Sequence, residues 1–367
     1  MPVEGQRDPA EVKVALERWL ADKMPEASGV EITSLEVPQS SGFSNETFLL
    51  DARWTNPDGT DEAAELVLRS QPLVHKLFPE SELLAHQYEV MQALYDTDVP
   101  VPRTRWAEDD PAVLGAPFFV MDRLHGLVPG DAPPYTVEGF VVDMTVDERN
   151  EWHRNAVEVL TRVGKVDWQA VGLHHLDQTH HGELGPEQRR NYFASYLEWA
   201  TKGEQHPIAH PAFEWLMANW PDDGEHTALC WGDARPGNQM YRGTEVIGVF
   251  DWEMVSLGNP ESDLGWWLFL QRYSTEGNGA PLLEGMLDRA QTIAEWERHM
   301  GRPATHVDFY EVLGGFQFCL VMVKLAEMYS MSLGPAALTM AVHNPVAAIT
   351  AELIGIDMPP APEPASA

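Results

Sequence analysis

Two cysteines in 367 residues, Cys230 and Cys319, leave this chain no disulfide framework and no thiolate zinc site. Cations are scarce as well: Lys and Arg number 24 against 57 Asp and Glu, a formal net charge of −33. So acidic a surface repels phosphate backbones and anionic bilayers, which argues against nucleic-acid and membrane partners. It suits either a cationic substrate or plain solubility. The longest apolar run, Phe316 to Val323, is too short to cross a bilayer. The N-terminus is polar and has no signal-peptide core, so a cytoplasmic protein is expected. Gly-x-x-x-x-Gly-Lys is missing, which excludes a Walker phosphate loop. No internal repeat is visible. Length is not lacking, and the chain can form two lobes with substantial cores.

The most informative stretch is Cys230-Trp231-Gly232-Asp233-Ala234-Arg235-Pro236-Gly237-Asn238, followed by Val249-Phe250-Asp251-Trp252-Glu253. Leu229-Cys230-Trp231 is a short apolar run that delivers the chain to Gly232. Pro236-Gly237 then forces a turn, so that Asp233 and Asn238 can face one point. Gln239 to Tyr241 and Glu245 to Phe250 flank Arg242-Gly243-Thr244 as a hairpin, which brings Asp251 out at a strand end. Two acids and an amide so placed suit phosphoryl transfer. One carboxylate takes the proton of an attacking hydroxyl, while the amide oxygen and the other carboxylate hold Mg²⁺ on nucleotide phosphates. Asp-x-x-x-x-Asn is also the spacing of the protein-kinase catalytic loop. Singly, each Asp reads as a turn or cap residue; the three together do not.

This segment resembles the aminoglycoside-phosphotransferase-like small-molecule kinases, whose signature is His-Gly-Asp, Gly-Asn, then Ile-Asp-Trp-Glu. Members similar to the kinase-like domain of acyl-CoA dehydrogenase fusion proteins are nearest in pattern. The similarity runs over roughly residues 30–330. It implies that Asp233 is the catalytic base, with Arg235 grouped beside it, and that Asn238 and Asp251 are magnesium ligands. Trp231 stands where the family has His, a residue that mainly supports the loop. The resemblance also implies an α+β, bilobal protein-kinase-like fold, a β-rich lobe over 1–122 and a mainly helical lobe over 123–367, with a hinge about 121–126. ATP and Mg²⁺ are the implied cofactors.

In chain order, Asp8-Pro9-Ala10-Glu11 opens a predicted helix through about Asp22, with Val12, Leu16, Trp19 and Leu20 on one face. A strand over Val30–Val37 leads to a turn containing Gly42, Phe43, Ser44 and Asn45. That turn is either a plain hairpin or a presenter of backbone N–H groups to phosphate. Glu65 to Arg69 reads as a strand ending in a cation. The resemblance makes Arg69 a phosphate ligand in place of the usual Lys, and Arg can grip phosphate bidentately. A helix over Ser81–Tyr95 should supply its acidic partner; Gln87 occupies the expected slot, and Glu82 is preferred over Glu89. Thr104–Ala107 and Phe118–Met121 read as strands, the second running into the hinge. There the backbone of Met121, Asp122 and Arg123 is implied to meet adenine.

Residues 127–144 form a loop, and Thr145 with Glu148 makes a capping box for a helix to about Val163. His174 to His181 invites a metal reading, but with no i, i+4 frame and no cysteine it reads as a surface loop. Helices are predicted over Gln188–Thr201, Ala212–Trp220, Leu282–His299 and Val307–Met331, with a broken segment at Pro335–Pro345 and a disordered tail over 358–367. Asp263, at the start of another helix, either braces the catalytic loop, as in the family, or is a carboxylate favoured by the helix dipole. Phe316, Phe318, Met322, Met328, Tyr329 and Met331 either line an acceptor pocket or fill a helical core.

The reading is a phosphotransferase moving the γ-phosphate of ATP to a hydroxyl of a small molecule, an aminoglycoside or a less polar acceptor. The competing readings are a nucleotide-binding pseudokinase without turnover and a metal-dependent hydrolase. Oligomeric state has no signal in the sequence.

Overall fold

The computed structural model describes residues 9–38, 46–71, 76–221 and 227–360. It divides into two compact units. One comprises Met1–Lys76, Ser81–Asp96 and Val101–His125; the other comprises Leu77–Glu80, Thr97–Pro100 and Gly126–Ala367. Two short pieces of the N-terminal half thus belong with the second unit. The architecture is α+β, a sheet-rich unit and a mainly helical one.

The first unit is a five-stranded antiparallel sheet with helices. Helix α1, Pro9–Lys23, precedes β1, Ser28–Glu36, β2, Glu46–Thr55, and β3, Asp61–Ser70. A π-helical turn, Leu83–Tyr88, runs into α2, Glu89–Leu94; then come β4, Thr104–Glu108, the short α3, Pro111–Leu114, and β5, Phe118–Asp122. Strand order is β1-β2-β3-β5-β4. Alternation along β2 and β3 sends Phe48, Leu50, Ala52, Leu66 and Leu68 into a core that α1 closes with Val12, Leu16, Trp19 and Leu20. The predicted face of α1 is the buried one. Trp19 meets the ring of Phe118 edge-on and its indole N–H donates to Glu108 at 2.6 Å, so the large side chain is buried without an orphaned donor.

The second unit opens with α4, Phe140–Asp143, inside the expected loop, and α5, Val146–Gly164. Both halves of the Thr145–Glu148 capping box form. Two 3-10 turns, His174–Leu176 and Thr179–His181, lead to α6, Pro186–Thr201, and α7, Ala209–Asn219. Short strands follow: β6, Ala228–Cys230, β7, Gln239–Arg242, β8, Glu245–Val249, and β9, Ser256–Gly258. Helices α8, Glu261–Ser274, α9, Arg289–Met300, α10, Val307–Leu333, and α11, Pro345–Ile354, complete it.

Helix α10 is central, packing on α8, α7, α11 and α6. It crosses α8 closely because Gly265 has no side chain: a Cβ there would lie 2.3 Å from the Tyr310 carbonyl carbon. By length and composition α10 could span a membrane, but 67% of its most apolar window is buried within the protein, as in a core helix. The stretch Pro335–Ile354 passes the same test, yet it breaks at Asn344 between a 3-10 segment and α11. The predicted helix over Leu282–His299 starts late, at Arg289. The cause is local: Asp288 forms its own capping box with Gln291, which sets the N-terminus there.

Candidate active site

Strand β6 pairs with β9, Cys230 opposite Ser256, and delivers the chain to Trp231, Gly232 and Asp233. Gly232 sits at φ 89°, and a Cβ on it would lie 2.2 Å from the Met254 carbonyl oxygen, so only glycine fits this turn. The first turn of α8 reaches the same place. Asp263 accepts the Trp231 N–H at 2.7 Å and the Gly232 N–H at 2.8 Å. Of the two roles open for Asp263, the brace is the one the structure displays. Burial pushes its pKa up to about 6, against the pull of those two amides and of Arg189. Trp231 is fully buried, touches Trp252, and donates its indole N–H to the Phe250 carbonyl at 2.8 Å. The residue in the family's His position therefore ties the Asp233 loop to the strand end that carries Asp251.

Around Asp233 the polar groups converge. Asn238 donates through Nδ2 to the Asp233 carboxylate Oδ2 at 2.6 Å and to the Asp233 carbonyl at 3.1 Å. Arg235 Nε donates to Oδ2 at 3.0 Å, and its Nη1 reaches Asp131 Oδ2 at 2.5 Å. Trp266, on α8, donates its indole N–H to the other oxygen, Oδ1, at 3.0 Å. Burial works against the Arg235 cation, but the carboxylates of Asp233 and Asp131 outweigh it and hold its pKa above the ordinary value. A 3-10 turn, Pro236–Asn238, sets the spacing.

The β7–β8 hairpin pairs Gln239 with Val249, and the Phe250 N–H donates to the Asn238 carbonyl at 3.0 Å. Asp251 follows directly at φ 59°, a left-handed conformation uncommon for a side-chain-bearing residue and concentrated at functional sites. With Nδ2 turned to Asp233, the Asn238 amide oxygen is its remaining donor atom. That oxygen and the Asp251 carboxylate are hard ligands of the type Mg²⁺ takes. The donor set fits the ion.

In the first unit, Arg69 stands one residue before the end of β3, opposite Thr47, whose hydroxyl accepts from Nη1 at 3.5 Å. Glu82, the preferred acidic partner, has Lys76 Nζ at 3.7 Å, and Gln87 is buried. Met121 and Asp122 end β5. The Asp122 N–H donates to the Arg103 carbonyl at 2.9 Å and the Arg123 N–H to that of Glu65 at 3.0 Å, so both amides are already used within this unit. Arg105 holds the Asp122 carboxylate at 2.6 Å. Gly42, Phe43, Ser44 and Asn45 lie outside the described residues.

A shallow cleft, partly open to solvent, is lined in part by Gly232 of the Asp233 loop and by Trp266 of α8. Helix α10 lines it with Tyr310, Leu313, Gly314 and Gln317. None of Phe316, Phe318, Met322, Met328, Tyr329 and Met331 lines it: Phe316 is buried core, and Met331 is exposed. The pocket-facing arc of α10 lies nearer its N-terminus, where it crosses α8. The cleft also holds Arg189, whose guanidinium lies 4.9 Å from the centre of the Tyr192 ring and 4.7 Å from that of Phe193. Among the described residues this guanidinium makes no hydrogen bond or ion pair, and burial lowers its pKa. Sequence reasoning missed Trp266, Asp131 and Arg189. Only Trp266 carried a local signal, standing three residues after Asp263 and so on the same helix face.

A family model described as the phosphotransferase enzyme family matches residues 37–302. The chain is 27% identical over 295 residues to "Probable acyl-CoA dehydrogenase IBR3" of Arabidopsis thaliana, covering 75% of this chain and 34% of that protein. Acyl-CoA dehydrogenase family member 11 of Homo sapiens is 25% identical over 306 residues, 77% of this chain and 36% of that one. The chain thus spans about a third of the length of these curated relatives. A solved "putative aminoglycoside phosphotransferase" of Ralstonia eutropha superposes with a TM-score of 0.65 at 25% identity, over 92% of this chain and 98% of that chain. The aminoglycoside phosphotransferase APH(4)-Ia, in complex with AMP-PNP and hygromycin B, shares the fold at a TM-score of 0.51 and 15% identity, over 91% and 99%.

Proposed function

The chain belongs to the phosphotransferase enzyme family, and from that premise we propose that it is an ATP- and Mg²⁺-dependent kinase acting on a hydroxyl of a small molecule. One observation carries the reading: Asp233 and Asn238 are in side-chain contact on a loop braced by Asp263, and the Phe250–Asn238 hydrogen bond brings the backbone before Asp251 alongside.

Asp233 acts as the base. Its Oδ2 is engaged by Arg235 and Asn238, and its Oδ1 by Trp266. These three donors fix the carboxylate and leave a lone pair of Oδ1 for the acceptor hydroxyl proton. Asp131 shares the Arg235 charge, which keeps the guanidinium oriented rather than simply attracted to Asp233. Mg²⁺, when bound, neutralises charge on the nucleotide phosphates, and Asn238 and Asp251 would hold it. Positioning accounts for most of the rate in such a site. Arg69 is assigned to the phosphates, and the carbonyls near Met121 to Arg123 to adenine, because the Asp122 and Arg123 amides are occupied.

Of the two acceptor classes, the cleft favours the less polar one. Its aromatic lining includes Phe193, Trp220, Trp266 and Tyr310, and the cation it holds, Arg189, works against a polycationic aminoglycoside. The test is ADP release from Mg-ATP over a panel of hydroxylated small molecules, apolar and aminoglycoside, with Asp233→Asn as control. Acceptor-dependent release in the wild type, lower by about 10²- to 10⁴-fold in the variant with nucleotide binding retained, is the expected result. Nucleotide-dependent stabilisation with no release for any acceptor would favour the pseudokinase. Product formation without ATP would favour the hydrolase.

A further inference from the structure

The His-rich loop does not remain a featureless surface. On the second 3-10 turn, His180 and His181 aim both Nε2 atoms at one carboxylate, that of Glu80, from about a hundred residues earlier in the chain. His181 Nε2 lies 2.7 Å from Oε1 and His180 Nε2 lies 3.0 Å from Oε2; the imidazole centres are 4.2 Å apart. One ligand atom from each of the three residues falls within 4.8 Å of the others.

We propose that Glu80, His180 and His181 bind a divalent transition metal of the zinc class. Two imidazole nitrogens and one carboxylate oxygen form a donor set suited to Zn²⁺, Co²⁺ or Ni²⁺ and poorly suited to Mg²⁺. At ordinary zinc–ligand lengths, tetrahedral neighbours stand about 3.3 Å apart. To reach that spacing the 3.0 and 2.7 Å N···O contacts widen by about 0.3 and about 0.6 Å, the two imidazole nitrogens, now within 4.8 Å of each other, draw together, and the ion replaces the shared protons.

The support around the cluster is already in place. Asn191 donates to the His181 carbonyl at 2.7 Å, and Tyr192 meets the His181 ring edge-on. Gln188 donates to Asp177 at 2.8 Å and to the Gly182 carbonyl at 3.3 Å, so α6 clamps the loop at both ends. On the other side, Tyr196 donates to the Leu77 carbonyl at 3.0 Å, fixing the segment that carries Glu80, and Gln178 donates to Glu80 Oε2 at 3.0 Å. His181 is buried while His180 is largely exposed, so the ion has a path from solvent and open positions for water. All three residues belong to the second unit, and the ion would cross-link residues 77–80 to the loop before α6.

The test is calorimetric titration of the full chain with Zn²⁺, nucleotide absent, paralleled by the visible spectrum of the Co²⁺ form. One stoichiometric Zn²⁺ should bind, with tetrahedral Co²⁺ bands and a higher unfolding temperature. Glu80→Gln and His180→Ala should each weaken binding by about tenfold or more. Both substitutions sit at half-buried or exposed side chains, so the fold survives them; His181→Ala is avoided because its side chain is buried. No stoichiometric binding would overturn the proposal, and so would affinities unchanged in both variants, or a Co²⁺ spectrum of the hydrated ion alone. His180→Ala should not alter phosphoryl transfer. A missing kinase activity therefore leaves this result standing, and the reverse also holds.

Discussion

The Asp233 loop and the Glu80–His180–His181 cluster each centre on a carboxylate with several donors, yet they are held in different ways. Asp233 takes donors from Arg235 and Asn238, two and five residues on, and from Trp266 of α8, while buried Asp263 pins the loop beneath it. Glu80 meets partners that are remote in sequence, and one of them, His180, stands largely in water. The difference teaches where cost accumulates. In the loop, charge is buried against backbone amides, so removing one partner strands others. In the cluster, water can replace a lost partner.

The largest break in that contrast should come from Asp263→Ala. It leaves the Trp231 and Gly232 amides unpaired in a buried site, at about 1–3 kcal/mol each, and lets Asp233 drift. Denaturant unfolding should report a loss of several kcal/mol, and turnover should fall even at temperatures where the variant is folded. Retention of both would show that the brace is dispensable.

Acid titration sharpens the comparison through two buried groups of the second unit. Burial, aided by the neighbouring Arg154 charge, lowers the His153 pKa to about 3, and its Nδ1 accepts the Leu287 N–H. The native state thus resists a proton that the unfolded chain takes near pH 6.5, and stability is lost as pH falls from there toward 3. Asp263 has the opposite sign: its raised pKa makes the native state bind a proton more readily, so its contribution falls as pH rises from about 4 to about 6. His153→Gln should flatten the acid limb of an unfolding curve and Asp263→Asn should steepen it. Parallel curves for the three proteins would contradict both assignments.

Trp266→Phe keeps the packing and deletes the indole N–H on Asp233 Oδ1. A bond to a charged acceptor is worth about 1.5–3 kcal/mol, so kcat should drop about tenfold to a hundredfold with the KM for ATP nearly unchanged. A KM effect without a kcat effect would place Trp266 in binding alone. The smallest effect belongs to the cluster: without metal, Glu80→Gln should shift stability by at most about 1 kcal/mol, as for other solvent-accessible pairs. A loss as large as that of Asp263→Ala would erase the distinction between the two regions.

Much of this was legible in the sequence where the cause is local. The buried stripe of α1, the Thr145–Glu148 capping box, the β7–β8 hairpin and the Asp233–Asn238 turn each follow from the spacing of a few neighbouring residues. The helix expected from Leu282 forms but starts only at Arg289, because the capping box at Asp288 sets its N-terminus. The choice left open for the α10 side chains, pocket or core, needed the structure, since α10 is apolar all round and its sequence cannot say which arc faces a cleft.

By itself the sequence determined the chemistry of the loop: which acids, which amide and at what spacing, because a tight Gly/Pro turn leaves little choice in where they point. Tertiary structure alone decided which groups hold them. The indole of Trp266 on Asp233, the two amides on Asp263, Arg189 in the cleft and Glu80 between two histidines are encounters between elements far apart in the chain. Such encounters depend on how helices pack, and packing is a property of summed volumes and buried surface that no local pattern records.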